Sequence, residues 1–447
     1  MTYDPTTTDF DVVIVGAGLS GLKAAVDVHK SGLTCVALEA MDRVGGKTLS
    51  VDAAGPGIKG RGRIDLGAAW INDTSQTEMT TLAEQFGLEL IRQRIAGNYL
   101  RQKSDGSVVS YALGFGDLIE HPKVLALHQM LIHLSEIWLG PDAKLLGSVT
   151  FKALAEANFP GEDAVSEAAD FLAGAQFFSA NLASLLPAGT VRLSSPVTKI
   201  SQTSGVCITT TTNGTVFHSK KVILSVPTTL YHMITFEPPL PPPKQVLAQR
   251  TFLGHHAKTV LIFSHPWWRD GGLSGVMDST SPNKNHCGPT AFTRDTSCEE
   301  DGQYSITCFI VGEHGRLWDA LPKKERQKAG FGALQQSFWS AGKEPWVRGG
   351  PMPVMGMDVL DGEAGKALCE PFGDVHFVGA ETASVWRGCM DGAVRSGIRG
   401  AEEVIGVFTV NSSAYAIGGR LAPSLVPIHN RARPLSLSEM LNVRAPH

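Results

Sequence analysis

Three glycines spaced as Gly16-Ala17-Gly18-Leu19-Ser20-Gly21 are the first residues of the chain whose pattern implies chemistry, and that chemistry is phosphate binding. Gly16 permits a sharp turn, Gly18 lets the backbone approach a pyrophosphate, and Gly21 allows a helix to pack close to a strand. The helix opening at Leu19 and Ser20 presents unpaired N–H groups and the positive end of its dipole to the same phosphates. Glu39 follows 18 residues after Gly21. A carboxylate there accepts both hydroxyls of an adenosine ribose and argues against a 2′-phosphate.

A second group comes directly afterwards: Asp42-Arg43-Val44-Gly45-Gly46-Lys47, two glycines flanked by cations, which is a compact phosphate clamp. One ligand can meet both groups only if the chain between them doubles back. The apolar run Asp11 to Val15 reads as a buried parallel strand. Leu22, Ala25 and Val26 recur at helical spacing from Leu19 to Lys30, Ser31-Gly32 supplies the stop, and Thr34 to Leu38 is a second strand. This β-α-β unit has the size of half a mononucleotide-binding fold.

Farther along, helical periodicity marks Met79 to Phe86 and Pro122 to Leu139. Strands over Val191 to Ile200, Val206 to Thr212 and Thr215 to Val226 are predicted to form a β-meander, with Asn213-Gly214 at a hairpin tip because both tolerate positive φ. Pro238 to Pro243 reads as a rigid, extended exit. Strands at Thr259 to Phe263 and Tyr304 to Val311 are followed by a predicted helix from Lys323 to Phe338. A strand at His376 to Val378 and a helix from Cys389 to Phe408 then repeat the strand, glycine turn, helix order of the start. Residues 411–447 are polar and proline-punctuated, a flexible tail.

Composition narrows the partner. With 43% hydrophobic and 18% charged residues among 447, the chain has an ample core, and its length calls for more than one domain. A formal charge of −4 supplies no field for nucleic acid or an anionic membrane surface, so a small molecule is the expected partner. The polar residues before Phe10 lack the order of a secretory signal, and no apolar run nears the ~20 residues that span a bilayer. Seven scattered cysteines form no C-x-x-C pair, which points to no metal and to a reduced, cytoplasmic setting.

Several of these segments resemble the flavin-containing monoamine oxidase family, fungal members in particular. Asp42 to Lys47 is similar to the family's D-R-x-G-G-R motif, with Lys47 in place of the last arginine, so a bidentate contact becomes a point charge. Ile64-Asp65-Leu66-Gly67-Ala68-Ala69-Trp70-Ile71 looks like the strand and small-residue turn beside the flavin ring, and Ser195-Pro196-Val197 like the segment that sets a valine against the adenine. Phe377-Val378-Gly379-Ala380-Glu381-Thr382-Ala383 and Trp386 to Gly397 are very close to the terminal FAD motif. The phrases Val222 to Pro227, Phe236 to Pro241 and Pro266 to Asp270 carry the fungal likeness.

The resemblance implies an α/β fold, with a discontinuous FAD-binding, Rossmann-like (doubly wound) domain and an inserted α+β substrate domain. Residues 9–78, 189–256 and 352–410 would bind FAD, and 79–188 and 257–351 would form the substrate domain. It implies FAD contacts from Gly16, Gly18, Leu19, Ser20, Gly21, Glu39, Ala40, Arg43, Gly45, Gly46, Lys47, Gly67, Ala68, Ala69, Trp70, Val197, Gly379, Glu381 and Met390. The helix starting near Met390 would aim its dipole at the flavin pyrimidine, where reduction places negative charge. Lys258 matches the family lysine that holds a water near flavin N5, whereas His255 and His256 read as surface or packing histidines. The implied reaction takes a hydride from the carbon beside an amine onto flavin N5. The imine then hydrolyses, and O₂ reoxidises the flavin with release of hydrogen peroxide.

The chain also departs from the pattern. Gly349-Gly350-Pro351-Met352 stands where covalent members carry a cysteine in G-G-C-Y, so FAD is expected to be non-covalent. Met352 and Cys389 replace the two walls of the family's aromatic amine cage, next to Trp386, and neither is aromatic. The stretch from Trp70 to Phe171 is short, which implies a shortened substrate domain. Two alternatives therefore stay open: a flavin oxidase or desaturase tailoring a non-amine secondary metabolite, and a catalytically impaired FAD-binding protein.

Overall fold

A computed structural model describes residues 9–52, 63–102 apart from 89, 92 and 95, 107–111, 177–279 apart from 204, 290–322, 325, 335–340, 345–350, 353–355, 359–360 and 362–416. The strand Phe10–Val15 buries Val12, Val13, Ile14 and Val15, as a strand covered on both faces must. Cys35–Leu38 pairs with it in parallel on one side and Val216–Leu224 on the other, within an eight-stranded sheet. The helix Leu19–Lys30 connects the first two strands.

Val216–Leu224 divides its far edge between two partners. Val216 to Ser219 pair antiparallel with Val206–Thr211, while Val222 to Leu224 pair in parallel with Val375–Phe377. Residues distant in sequence thus join the first β-α-β unit. Val13, Val15, Val36, Leu38, Val222, Leu224 and Phe377 share one core. The helix Met390–Ala416 starts close by. A Cβ on Gly397 would lie 2.4 Å from the carbonyl oxygen of Ser20, so only glycine admits this approach.

The helix Thr77–Gln85 begins two residues before its predicted start. The fully buried Asp391 accepts the N–H groups of Glu78 and Met79 at 2.8 and 3.0 Å and holds Arg395 Nε at 2.6 Å. A side-chain cap of this kind is worth about 1 kcal/mol, and here it comes from the far end of the sequence.

A second sheet has seven strands in the order Gln335–Ser340, His256–Phe263, Tyr304–Val311, Phe292–Asp295, Leu273–Ser279, Asn98–Gln102, Val108–Tyr111. His256–Phe263 therefore has a partner on each edge. Its alternation sends Val260 and Ile262 into a core with Met41, Ile64, Leu66 and Val347, so the face bearing His256 and Lys258 turns toward the residues that follow Glu39.

Three expectations need correction. The segment from Val191 to Ile200 is not one strand: Val191–Arg192 extends the parallel sheet beside Cys35–Leu38, Ser194 turns with φ 50°, and Val197–Thr203 enters the meander. Pro196, which has no N–H to give a ladder, sits at the break. Pro242 and Pro243 open a helix, Pro242–Arg250, rather than continue an extended exit, since their fixed φ suits a first turn. Gln335 to Phe338 lie in a strand paired with His256–Phe263, where cross-strand pairing overrides the helical periodicity read from Lys323 onward. Residues 411–416 continue the helix Met390–Ala416, while the rest of the predicted tail and the helix at Pro122 to Leu139 fall outside the described residues. Among the described residues no helix is long and apolar enough to cross a membrane.

Candidate cofactor and substrate site

The two glycine turns meet. Gly45 donates its N–H to the carbonyl of Ala17 at 2.9 Å, and a Cβ on Gly46 would lie 3.5 Å from Gly18 Cα. Gly16 has φ +100°, and a Cβ there would fall 2.6 Å from the Ser225 carbonyl oxygen; on Gly21 it would fall 2.0 Å from that of Gly16. Backbone packing within the protein demands these two. Gly18 is different: its φ of −75° suits any residue, and a Cβ on it would meet no protein atom within 4 Å. The protein itself leaves open space at Gly18.

That space is a cavity of about 490 Å³. Gly16, Gly18, Leu19, Ser20, Glu39, Ala40, Gly45, Gly46, Lys47, Gly67, Ala68, Trp70, Val197, Lys258, Gly379, Glu381, Cys389 and Met390 all line it. Four sequence-chosen residues do not. Gly21 is spent on packing, and Ala69 is absent from the lining. Arg43 donates to the carbonyls of Thr48, Gly46 and Val44 at 2.9, 2.9 and 3.3 Å, and so ties the loop together from behind. The Trp386 indole donates to the Ser75 carbonyl at 2.9 Å. Met352 lies outside the described residues.

Charge in the cavity is arranged in three groups. Glu39, 5% exposed, accepts the N–H groups of Ala17 at 2.6 Å and Met41 at 2.9 Å. Burial raises its pKa, and those amides oppose the rise. Each carboxylate oxygen retains a lone pair for a further donor. Glu381 accepts the N–H of Thr228 at 3.1 Å in a buried position. Nearby, burial lowers the pKa of Lys47 to about 8 against the pull of Glu381, and likewise lowers that of Arg387, against Cys369 and Glu381. The sequence reading missed Arg387, although it lies within the motif.

Lys258 forms the core of a third cluster. Its ammonium donates to the Gly67 carbonyl and sits 5.1 Å from the ring centroids of both Trp70 and Phe309. Burial lowers its pKa to about 8, while Asp65 pulls the other way. With one donor engaged among the described residues, two remain for a water or a ligand. Phe309 stands opposite Lys258 in register, and Trp70 packs on it at 5.6 Å. His256, two residues before Lys258 on the same face, also lines the cavity, contrary to its reading as a surface or packing residue. His255 fits that reading, with Nδ1 3.3 Å from an Asp319 oxygen. Strand alternation would have flagged His256, but only strand register identifies Phe309.

The residues fit an adenine dinucleotide. Gly18 leaves room for phosphate, the helix at Leu19 offers its N-terminus, and Glu39 has acceptor capacity for hydroxyls. The model of the family described as flavin containing amine oxidoreductase matches residues 116–405, and that of an NAD(P)-binding Rossmann-like domain matches residues 14–86. A probable flavin-containing monoamine oxidase A of Dictyostelium discoideum is 28% identical over 461 residues, covering 89% of this chain and 98% of that protein. Putrescine oxidase of Kocuria rosea is 26% identical over 480 residues, covering 90% and 96%. Among solved structures, wild-type putrescine oxidase bound to putrescine shares the fold with a TM-score of 0.77 at 24% identity, over 89% of this chain and 99% of the other. The family model spans more than half of the sequence, and the relatives are covered nearly end to end: the chain belongs to the flavin containing amine oxidoreductases.

Proposed function

We propose that this protein binds FAD non-covalently and oxidises a small amine with O₂, giving an imine that hydrolyses to an aldehyde, and hydrogen peroxide. The observation that carries this reading is one cavity containing both glycine turns with Glu39 and the buried Lys258. On the same reading residues 9–78, 189–256 and 352–410 form the cofactor-binding part and 79–188 and 257–351 the substrate part. A cytoplasmic setting suits the free thiols of the described cysteines.

Bound flavin supplies the acceptor for a hydride from the carbon beside the amine and the site of O₂ reduction. The chain's residues do the rest. Gly18, Gly45 and Gly46 clear the way for pyrophosphate, Lys47 neutralises it, and Glu39 accepts the ribose hydroxyls. Val197 supports the adenine. Gly67, Ala68, Trp70, Gly379, Glu381 and the start of the helix at Met390 would surround the remainder, where the positive end of the helix dipole would stabilise negative charge. Lys258 orients a water at Nζ for imine hydrolysis, and its cation favours the reduction of O₂ to an anion.

Two features support non-covalent attachment. Pro351 stands where a linking cysteine would, and burial together with Asp391 pushes the Cys389 thiol up to about 12, so it is no nucleophile at neutral pH. Acid precipitation of the purified, yellow protein is expected to leave FAD in the supernatant. A colourless protein, or flavin that stays with the pellet, contradicts this assignment.

Asp65 adds a pH signature. Its carboxylate raises the Lys258 pKa, so Asp65→Asn should lower that ionisation below about 8. The alkaline fall in kcat should then move roughly 1 pH unit toward acid. An unmoved limb would remove Lys258 from the pH profile.

A further inference from the structure

We propose that His256 is a specificity-determining residue: its imidazole hydrogen-bonds an uncharged polar substituent, in the simplest case a hydroxyl, on the apolar body of the substrate. The inference rests on the amine oxidase reading for the substrate class and on local geometry for the residue.

Position comes first. The side chains of residues 256 and 258 leave the same face of His256–Phe263, so His256 stands one step along the strand from Lys258. Its ring meets Phe309 edge-on, with centroids 5.9 Å apart at 78°, which fixes the plane of the imidazole. It lines the cavity with Trp70, Phe309, Trp346 and Val347, a wall of apolar side chains in which Lys258 is the neighbouring polar group. Among the described residues no hydrogen bond reaches its ring nitrogens. Its neighbour His255, by contrast, already faces Asp319.

The chemistry follows from the surroundings. Burial, and then Lys258, lower the His256 pKa to about 4, so near neutral pH one nitrogen donates and the other accepts. Such a ring is too weak a base to deprotonate an ammonium and carries no charge to pair with a carboxylate. What it offers is one neutral donor and one neutral acceptor. A substrate that offers no hydrogen bond strands a polar group against an apolar wall, whereas a hydroxyl satisfies it. Sites of this design discriminate strongly against analogues lacking the hydroxyl.

The test is calorimetric titration of the holoprotein with 2-phenylethanol and its ring-hydroxylated counterpart, non-oxidisable analogues of an arylalkylamine pair, alongside kcat/KM for the two amines. The wild type should favour the hydroxylated member of each pair by about tenfold, the weight of one such bond. His256→Phe, which keeps the ring contact with Phe309, should bring both ratios close to one, and His256→Gln should restore part of the preference. Absence of a preference in the wild type, or an unchanged ratio in His256→Phe, overturns the assignment. If neither amine is oxidised, the amine oxidase reading fails, while the binding ratios still decide the role of His256.

Discussion

Replacing Lys258 by methionine is expected to lower kcat/KM for amine oxidation by about 100-fold or more, with FAD content retained. Methionine approximates the volume of the lysine stem, so the packing against Trp70 and Phe309 survives. What disappears is a cation that burial already disfavours, as its lowered pKa of about 8 records. Thermal stability should therefore hold or rise while turnover falls. Rapid-mixing measurements of flavin reduction under nitrogen and of reoxidation by O₂ separate the two half-reactions. A variant that turns over at the wild-type rate in both would exclude Lys258 from the chemistry.

Gly18→Val should abolish flavin binding without unfolding the apoprotein. The backbone at Gly18 has φ −75°, which valine adopts freely, and a Cβ there would meet no protein atom within 4 Å. The added methyls would enter the cavity where backbone must approach phosphate. The purified variant should be colourless, with affinity for added FAD reduced at least about 100-fold, or roughly 3 kcal/mol. Gly16→Ala makes the contrast. Its positive φ and the 2.6 Å approach to the Ser225 carbonyl predict a lower melting temperature for the apoprotein itself. If Gly18→Val bound FAD as the wild type does, the pyrophosphate would have to lie elsewhere.

These two glycines also mark what a sequence can reveal. The residues from Phe10 to Lys47 write their structure locally: an apolar strand, a glycine turn, a periodic helix, a second strand and an acid, each within reach of its neighbour. Spacing alone does not separate Gly21, consumed by packing, from Gly18, which faces the cavity. Nor does it show which way a long side chain turns, and Arg43 spends its donors on the carbonyls of its own loop. Phe309 and His256 depend on register between strands far apart in the chain, which one-dimensional pattern does not encode. The helix read across Gln335 to Phe338 fails for the same reason, because a partner strand decides its conformation.

The divided edge of Val216–Leu224 ties the order of synthesis to the birth of activity. A ribosome delivers Phe10–Val15 early, yet the strand that flanks Val222 to Leu224, and the helix that brings Gly397 against Ser20, emerge hundreds of codons later. A message truncated before Val375 would yield a polypeptide with a bare sheet margin and no wall from Gly379 to Met390. On the proposed reading the nascent protein would wait for the helix Met390–Ala416 before holding its cofactor, and premature termination would leave an aggregation-prone fragment rather than a weakened enzyme.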